Sequence, residues 1–208
     1  LAASVMSAPA ALVVAKIMYP ETEVSETAGG AVHNPKPQTT NVIDAAASGA
    51  SDGLKLAANV AAMLIAFIGL IALLNYFIAL MGGLFGAPNL ALKDIFGVFF
   101  YPLSWCMGVD TGDLVDFGNL LGIKVSINEF VAFVELGALK GRMTERSFTI
   151  ATYALTGFAN FSSIGIQIGG IAAISPERRQ DLAALGLKAM IGGAIASWLT
   201  ACIAGVLL

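Results

Sequence analysis

The chain has 208 residues and a net charge of −3, and 57% of its residues are hydrophobic while only 12% are charged. A soluble domain carries about 25% charged residues, so this composition excludes an ordinary soluble domain. It predicts an all-α membrane protein, because helices satisfy their own backbone hydrogen bonds inside a lipid bilayer. The negative charge and the lack of a basic run argue against a nucleic acid as partner.

The first residues are not predicted to be a signal peptide, and the two cysteines are not predicted to bind a metal. The first residues are already hydrophobic and follow no charged stretch, so they do not form a signal peptide. We interpret the sequence as the C-terminal part of a longer protein. Cys106 and Cys202 lie in apolar segments without metal-ligand spacing, and both are predicted to be small buried hydrophobic residues.

The first segment, 1–18, is apolar and about as long as a bilayer core requires. Pro9 predicts a bend in it that other helices pack against. Glutamates, prolines and paired glycines then predict an aqueous loop over 19–41. His33, the only histidine, lies in this loop and is predicted to be solvated, because no second metal ligand is near it.

Two different kinds of helix are predicted next. Asn41 is a candidate N-cap for segment 42–86, which begins amphipathic, becomes wholly apolar and is longer than one bilayer crossing. We interpret it as an interfacial lead-in that continues into a long transmembrane helix. Segment 90–108 is rich in aromatic residues and contains Pro102, which is typical of an interfacial helix.

Segment 110–140 contains two apolar pieces that flank a polar tip at 126–129. Glu129 in this tip marks a substrate or ion pathway, since ionisable residues are rare at membrane depth. The pattern predicts a re-entrant helical hairpin, and one kinked span through 114–139 remains the alternative. Asp110, Asp113 and Asp116 are predicted to lie in the first turn of its first helix rather than to bind a metal.

Segment 147–174 carries a polar stripe on an apolar background. Thr156, Asn160, Ser163 and Gln167 recur at spacings of four, three and four, which puts them on one face of a helix. We interpret this face as one wall of a site for a polar ligand, with Glu129 opposite. Several glycines permit a break in this helix. The alternative is that Asn160 and Ser163 only hold helices together.

The last segment, 176–208, is predicted to be a transmembrane helix with Ser175 as its cap and Pro176 at its first position. Gly193 and Ser197 form a face of small residues suited to close helix packing. Trp198 is predicted to be an amphipathic anchor, and all three residues are interpreted as packing features.

Four stretches of the sequence resemble the concentrative nucleoside transporter family. They are ASVMSAPAA at 3–11 with YPE at 19–21, IDAA at 43–46 with Gly49, NEFVA at 128–132, and GFANFSSIGI at 157–166. The likeness covers nearly the whole chain. The last two motifs are too long for chance to be a good explanation.

This resemblance implies a homotrimeric, multi-pass transporter of the cell membrane that moves nucleosides such as uridine by an elevator-type motion, driven by sodium or protons. It implies a trimerising scaffold and a mobile transport domain built from two inverted repeats, of which this chain supplies the second half. The segments are assigned as follows: 1–18 closes the first repeat, 42–86 holds the scaffold helix, 90–108 is interfacial, 110–140 is the hairpin, 147–174 is a broken helix and 176–208 is the final helix.

The resemblance also assigns the site. Glu129, Asn160 and Ser163 are expected to hydrogen-bond the sugar, Phe158 to line the pocket and Asn128 to belong to the same substrate site. No cofactor is expected. The coupling ion, Na⁺ or H⁺, is expected to bind in the first hairpin and first broken helix of the family fold, which this chain lacks. The same hairpin reads the base, so base preference is left open.

Other classes of function are weighed on the residues. An intramembrane enzyme would need a nucleophile beside a base, and the membrane segments contain no histidine and no base next to Ser163. A channel can contain the same re-entrant hairpins and polar stripes as a transporter. The two classes are distinguished by whether the flux saturates and whether solute accumulates against a gradient. Sodium and proton coupling both stay open, because Glu129 could itself be protonated during transport. Charge alone does not give the orientation, because Lys140, Arg142 and Arg146 fall on the side that the family places outside, against the positive-inside tendency. We follow the topology that the resemblance implies, because the charge bias is small.

Overall fold

The structure, a computed structural model, describes residues 1–22, 24 and 39–208. Within these residues the chain is mostly helical and contains no strands, as the composition predicts. The helices are α1 (Ala2–Met18), α2 (Val42–Leu84), α3 (Leu92–Cys106), α4 (Leu114–Ser126), α5 (Glu129–Ala138), α6 (Glu145–Leu155), α7 (Phe161–Ile174) and α8 (Arg179–Leu207), with a 3₁₀ turn at Pro176–Arg178. His33 and most of the predicted aqueous loop lie outside the described residues.

Helix α2 has 43 residues and runs without interruption, so the predicted lead-in and long helix form one element. At 1.5 Å per residue it is roughly 65 Å long, about twice the thickness of a bilayer core. Asn41 caps it as predicted, with its side chain accepting a hydrogen bond of 2.8 Å from the Asp44 N–H. Near the other end, Asn75 Oδ1 accepts a hydrogen bond of 2.9 Å from the Leu92 N–H and ties α2 to α3.

Helices α3 and α4 pack against each other at unusually close range. A Cβ atom added at Gly118 would lie 2.5 Å from the Gly97 carbonyl oxygen, and one at Gly122 would lie 2.7 Å from the Phe96 Cβ. Neither contact is sterically possible, so glycine is required here for the two backbones to approach. This contact joins the aromatic helix to the first half of the hairpin.

The main hydrophobic core lies between α3, α4, α5, α6 and α8. Its largest fully buried side chains include Phe117, Leu121, Leu136, Ile150 and Leu155. The Arg146 guanidinium closes one end of this core, donating to Gly108 O at 3.0 Å and to Gly205 O at 2.6 Å. The hairpin helices and the first half of the broken helix therefore share one core.

Helix α1 packs against α8 outside this core, with Val14 buried between the two helices. Pro9 lies inside α1. Of the helices in the described ranges, one, Arg179–Leu207, is long and apolar enough to cross a membrane. Shorter apolar stretches lie at Ala2–Met18, Ile68–Leu84 and Phe161–Ala172.

The aspartates before α4 do not all lie in its first turn. Only Asp116 does, whereas Asp113 is the N-cap residue and Asp110 precedes the helix. Asp113 Oδ2 accepts a hydrogen bond of 3.1 Å from the Thr144 N–H, and Asp110 Oδ2 accepts one of 2.5 Å from Thr144 Oγ1. Thr144 is the N-cap residue of α6, so the two carboxylates hold the start of α6 against the start of α4.

The start of the last helix also differs from the prediction. Ser175 ends α7 and donates a hydrogen bond of 2.5 Å to Glu177 Oε1 instead of capping α8. A 3₁₀ turn beginning at Pro176 intervenes, and α8 begins at Arg179. The fixed φ of proline suits the first position of such a tight turn as well as it suits an α-helix.

The Trp198 ring is partly buried against the core and packs edge-on against Phe100 with 5.5 Å between ring centroids, which agrees with a packing role. The prediction that both cysteines are buried is wrong. Cys106 is exposed and Cys202 is half-buried. Hydropathy along the chain does not show which face of α3 or α8 turns toward the core.

Candidate functional site

The candidate site lies where two helix breaks meet. The first break, at residues 127–128, separates α4 from α5, and the second, at residues 156–160, separates α6 from α7. Each break ends at an asparagine that starts the next helix. Asn128 Oδ1 accepts from the Val131 N–H at 2.9 Å, and Asn160 Oδ1 accepts from the Ser163 N–H at 2.8 Å. The same local device therefore restarts both helices.

A hydrogen bond between side chains joins the two breaks. Asn160 Nδ2 donates to Glu129 Oε2 at 3.0 Å, across 31 residues of sequence. Glu129 is half-buried in the first turn of α5, where the helix dipole favours a negative charge, and Asn160 is fully buried. The structure thus brings the carboxylate of the first break into contact with the asparagine of the second break.

Asn160 and Ser163 form a capping box at the start of α7. The Ser163 hydroxyl donates to Asn160 O at 2.6 Å and accepts from the Asn160 N–H at 3.1 Å. Ser162, which the sequence analysis did not select, donates to Asn160 Oδ1 at 2.6 Å. Its position two residues after Asn160 is the signal in the sequence that could have identified Ser162. The amide is thus held beside the carboxylate by hydrogen bonds to its oxygen and from one Nδ2 hydrogen.

The polar stripe is divided between two helices and does not form one continuous face. Thr156 ends α6, and its hydroxyl donates to Thr152 O at 2.6 Å. Gly157 then takes a left-handed φ of 116°, which a residue with a side chain rarely adopts, and α7 begins only after Asn160. Gln167 is exposed on α7. The prediction of a break near Asn160 agrees with the structure, whereas the single helical face is wrong.

Phe158 lies in the non-helical connection between α6 and α7, with 42% of its surface exposed. Phe130, beside Glu129 at the start of α5, is also exposed. Phe158 is thus an accessible aromatic ring in this connection, two residues before the buried Asn160 that begins α7. Such a ring is suited to pack against a planar apolar group.

Lys124 is a second charged residue near the breaks that the sequence analysis did not select. It lies in the last turn of α4, is fully buried, and donates from Nζ to Ala154 O at 2.8 Å. Ala154 is in the last turn of α6, whose carbonyl groups lack partners within the helix. The signal for this residue in the sequence is a lysine within an apolar stretch, two residues before the polar tip at 126–129.

The arrangement suits a neutral ligand with several hydroxyl groups. A carboxylate accepts strong charge-assisted hydrogen bonds from such hydroxyls, and an amide supplies a donor beside it. No group of three or more histidine, cysteine or acidic side chains that could hold a metal ion occurs among the residues described. Two broken helices that place bonded polar groups inside an apolar helical chain are typical of the transporter class of membrane proteins.

The chain belongs to the sodium-dependent nucleoside transporter family: the family model described as "Na+ dependent nucleoside transporter C-terminus" matches residues 1–205. The resemblance seen in the motifs is therefore confirmed. The relatives are transporters and not enzymes, as expected.

Three curated relatives match almost the whole chain. An uncharacterized transporter of Haemophilus influenzae is 46% identical, covering 99% of this chain and 51% of its own. Solute carrier family 28 member 3 of Mus musculus is 44% identical, covering 100% of this chain and 32% of its own. Sodium/nucleoside cotransporter 1 of Rattus norvegicus is 39% identical, with coverage of 100% and 34%. The chain thus spans about half the length, or less, of these relatives.

Solved structures of the transporter CNTnw share the fold. A CNTnw variant in an intermediate state is 43% identical, with a TM-score of 0.89 over 100% of this chain and 51% of that one. CNTnw in an inward-facing, substrate-bound state is 41% identical, with a TM-score of 0.79 over 99% of this chain and 49% of that one.

Proposed function

We propose that this chain supplies the C-terminal half of an ion-coupled nucleoside symporter, and that sodium is the coupling ion. The observation that carries the proposal is the 3.0 Å hydrogen bond between Glu129 and Asn160, which joins two broken helices in a chain of this family. Nucleosides offer vicinal ribose hydroxyls, which match this pairing of a carboxylate with an amide.

Each candidate residue has a distinct proposed role. Asn160 occupies one oxygen of the Glu129 carboxylate, which leaves the other to accept a ribose hydroxyl. Asn160 contributes its second Nδ2 hydrogen, and Ser163 its remaining lone pair. Asn128 holds the start of α5, and Phe158 packs against the nucleoside. If instead Asn160 and Ser163 act only as a helix cap, replacing them in a protein that still folds should not change substrate affinity.

We propose that α4 and α5 form a re-entrant hairpin and that the transport domain moves as an elevator past α2. Apolar side chains along α2 are exposed, including Leu54, Leu73 and Leu80, as a lipid-facing or trimer-forming scaffold requires. This chain matches CNTnw with a TM-score of 0.89 in the intermediate 2 state and of 0.79 in both the intermediate 1 and the inward-facing states. This half of the fold therefore differs between the states of CNTnw, which supports relative motion of its helices.

In this proposal the remaining segments keep the roles that the family resemblance implies. Residues 1–18, 147–174 and 176–208 belong to the mobile domain, 42–86 trimerises, and 90–108 lies at the membrane interface. The complete protein is a homotrimer that spans the cell membrane several times. The sodium site lies in segments that this chain does not contain. Proton coupling is the second candidate, because the Glu129 carboxylate is itself a group that could carry a proton.

Uptake of radiolabelled uridine tests the proposal. The full-length protein containing this chain is reconstituted in proteoliposomes, and an inward sodium gradient is compared with choline replacement. Saturable accumulation that requires sodium is the expected result. Accumulation under both conditions that stops when a proton gradient is collapsed would establish proton coupling instead. Uptake that never exceeds the external concentration would indicate a channel, and no saturable uptake would refute nucleoside transport.

A further inference from the structure

Lys124 has an environment that a charged side chain rarely occupies. It is fully buried at the end of α4, and the one hydrogen bond that the structure gives its ammonium group goes to Ala154 O. Three ion pairs occur in the described part of the chain; all have exposed side chains, and none includes Lys124. Burying an ammonium group is costly unless nearby negative groups compensate for the lost water, so this position needs an explanation.

Two negative groups compensate for the buried charge of Lys124. One is the C-terminal end of α6, where Ala154 O carries the partial negative charge of the helix dipole. The other is the Glu129 carboxylate, whose charge attracts the ammonium group. The hydrogen bond from Lys124 thus ties the end of α4, before the first break, to the end of α6, before the second break.

Two hydrogen bonds connect the two breaks. Lys124 donates to Ala154 O at the end of α6, and Asn160, which starts α7, donates to Glu129 at the start of α5. Between Ala154 and Asn160 the backbone is non-helical and includes the left-handed Gly157, so the helix itself does not hold this connection. Lys124 thus ties Ala154, just before the connection, to α4, and Glu129 ties Asn160, at the other end of the connection, to α5.

We propose that Lys124 is a positioning residue that fixes Glu129 and Asn160 at ligand-binding distance by joining the two helix breaks. This inference rests on the proposed nucleoside site. It predicts that loss of the ammonium group affects substrate affinity more than the maximal rate, and that the effect passes through Glu129.

The test is uridine uptake by the full-length protein carrying Lys124→Met, which keeps the length of the side chain and removes its charge. Lys140→Met, at an exposed lysine after α5, is the matched control. We expect Lys124→Met to raise KM about tenfold or more with a smaller change in Vmax, and Lys140→Met to leave both unchanged. In a Glu129→Gln background the same substitution should change KM less than about threefold, because coupled residues are not additive.

Two results would overturn the inference. One is a KM within about twofold of wild type for folded Lys124→Met, and the other is effects of Lys124→Met and Glu129→Gln that multiply in full. If Lys124→Met does not purify as a folded protein, Lys124→Gln, which keeps a donor for Ala154 O, is judged by the same criteria.

Hydrogen exchange separates failure of this inference from failure of the proposed function. If the wild-type protein takes up no nucleoside, the proposed function fails, and the exchange of amides at 156–163 is compared without ligand. Faster exchange in Lys124→Met than in Lys140→Met would support the link between the two breaks. Equal exchange would overturn it.

Discussion

At the residue scale, the candidate site depends on one buried amide and one carboxylate that are far apart in sequence. Asn160 uses its oxygen to cap α7 and its nitrogen to bind Glu129, so the same side chain builds the helix and orients the acid. A merely structural pair could be made equally well by a neutral amide in place of the acid. Charge is therefore the property of Glu129 to test first.

Replacing Glu129 with Gln keeps the shape of the side chain and lets Asn160 Nδ2 still donate to an oxygen. It removes the charged acceptor, which is worth ~1.5–3 kcal/mol in a hydrogen bond. We expect the KM for uridine to rise roughly 10- to 150-fold, since about 1.4 kcal/mol corresponds to a factor of ten. Initial rates of uptake measured over a range of uridine concentrations give this value.

Glu135→Gln is the matched control, because Glu135 lies on the same helix and is exposed. It should leave KM unchanged. Uptake by Glu129→Gln that equals wild-type uptake at sub-saturating uridine would remove Glu129 from the site.

At the element scale, the glycine contact between α3 and α4 determines where the hairpin sits. The backbones meet at Gly97 and Gly118, and the tip of the hairpin follows at the end of α4. Separating these helices would shift the end of α4, which carries Lys124. Close packing here is therefore expected to matter for stability and for the geometry of the site.

Replacing Gly118 with Ala introduces a methyl group 2.5 Å from Gly97 O. Overpacking of this kind costs about 1–3 kcal/mol, so the apparent melting temperature of the purified protein should fall. Thermal unfolding in detergent measures the change. Gly137→Ala in α5 is the control: its Cβ meets no atom within 4 Å, and we expect the same or a slightly higher melting temperature. A Gly118→Ala protein as stable as wild type would show that α3 and α4 can move apart freely.

At the scale of the whole molecule, α2 and α7 are expected to belong to different moving bodies. They touch at Leu56 and Gly170, where a Cβ on Gly170 would lie 3.8 Å from Leu56 Cδ1. In contrast, α1 and α8 both belong to the proposed mobile domain and touch at Met18 and Gly192, where a Cβ on Gly192 would lie 3.3 Å from Met18 Sδ.

Cross-linking distinguishes the two contacts. Cys106 and Cys202 are first replaced, so that in this chain only the introduced cysteines can react. The full-length protein that carries Leu56→Cys and Gly170→Cys is then treated with a short, reducible reagent that joins two thiols. We expect the cross-link to stop uridine uptake and reduction to restore it, because α7 can no longer move past α2. The Met18→Cys, Gly192→Cys pair should cross-link without stopping uptake. Full uptake by protein whose α2 and α7 are completely cross-linked would contradict the elevator motion.

The sequence by itself determined the features that depend on neighbours along the chain. Apolar composition predicted helices in a membrane, Asn41 was recognised as a cap, and polar or glycine residues marked both helix breaks. These signals act over three or four residues, where helix hydrogen bonds and caps are made. Two of the four family motifs, at 128–132 and 157–166, lie at the same breaks, so the local residues there also led to the nucleoside transporter family.

Only the tertiary structure decided which distant groups meet. It placed Asn160 against Glu129 and Lys124 against Ala154, 31 and 30 residues apart, and it turned Trp198 toward Phe100. It also divided the polar stripe between two helix ends at Gly157. Periodicity gives the face of a helix but not what packs against that face, because packing depends on the arrangement of all the helices. For this reason the breaks could be predicted from the residues, whereas the lysine that joins them could not.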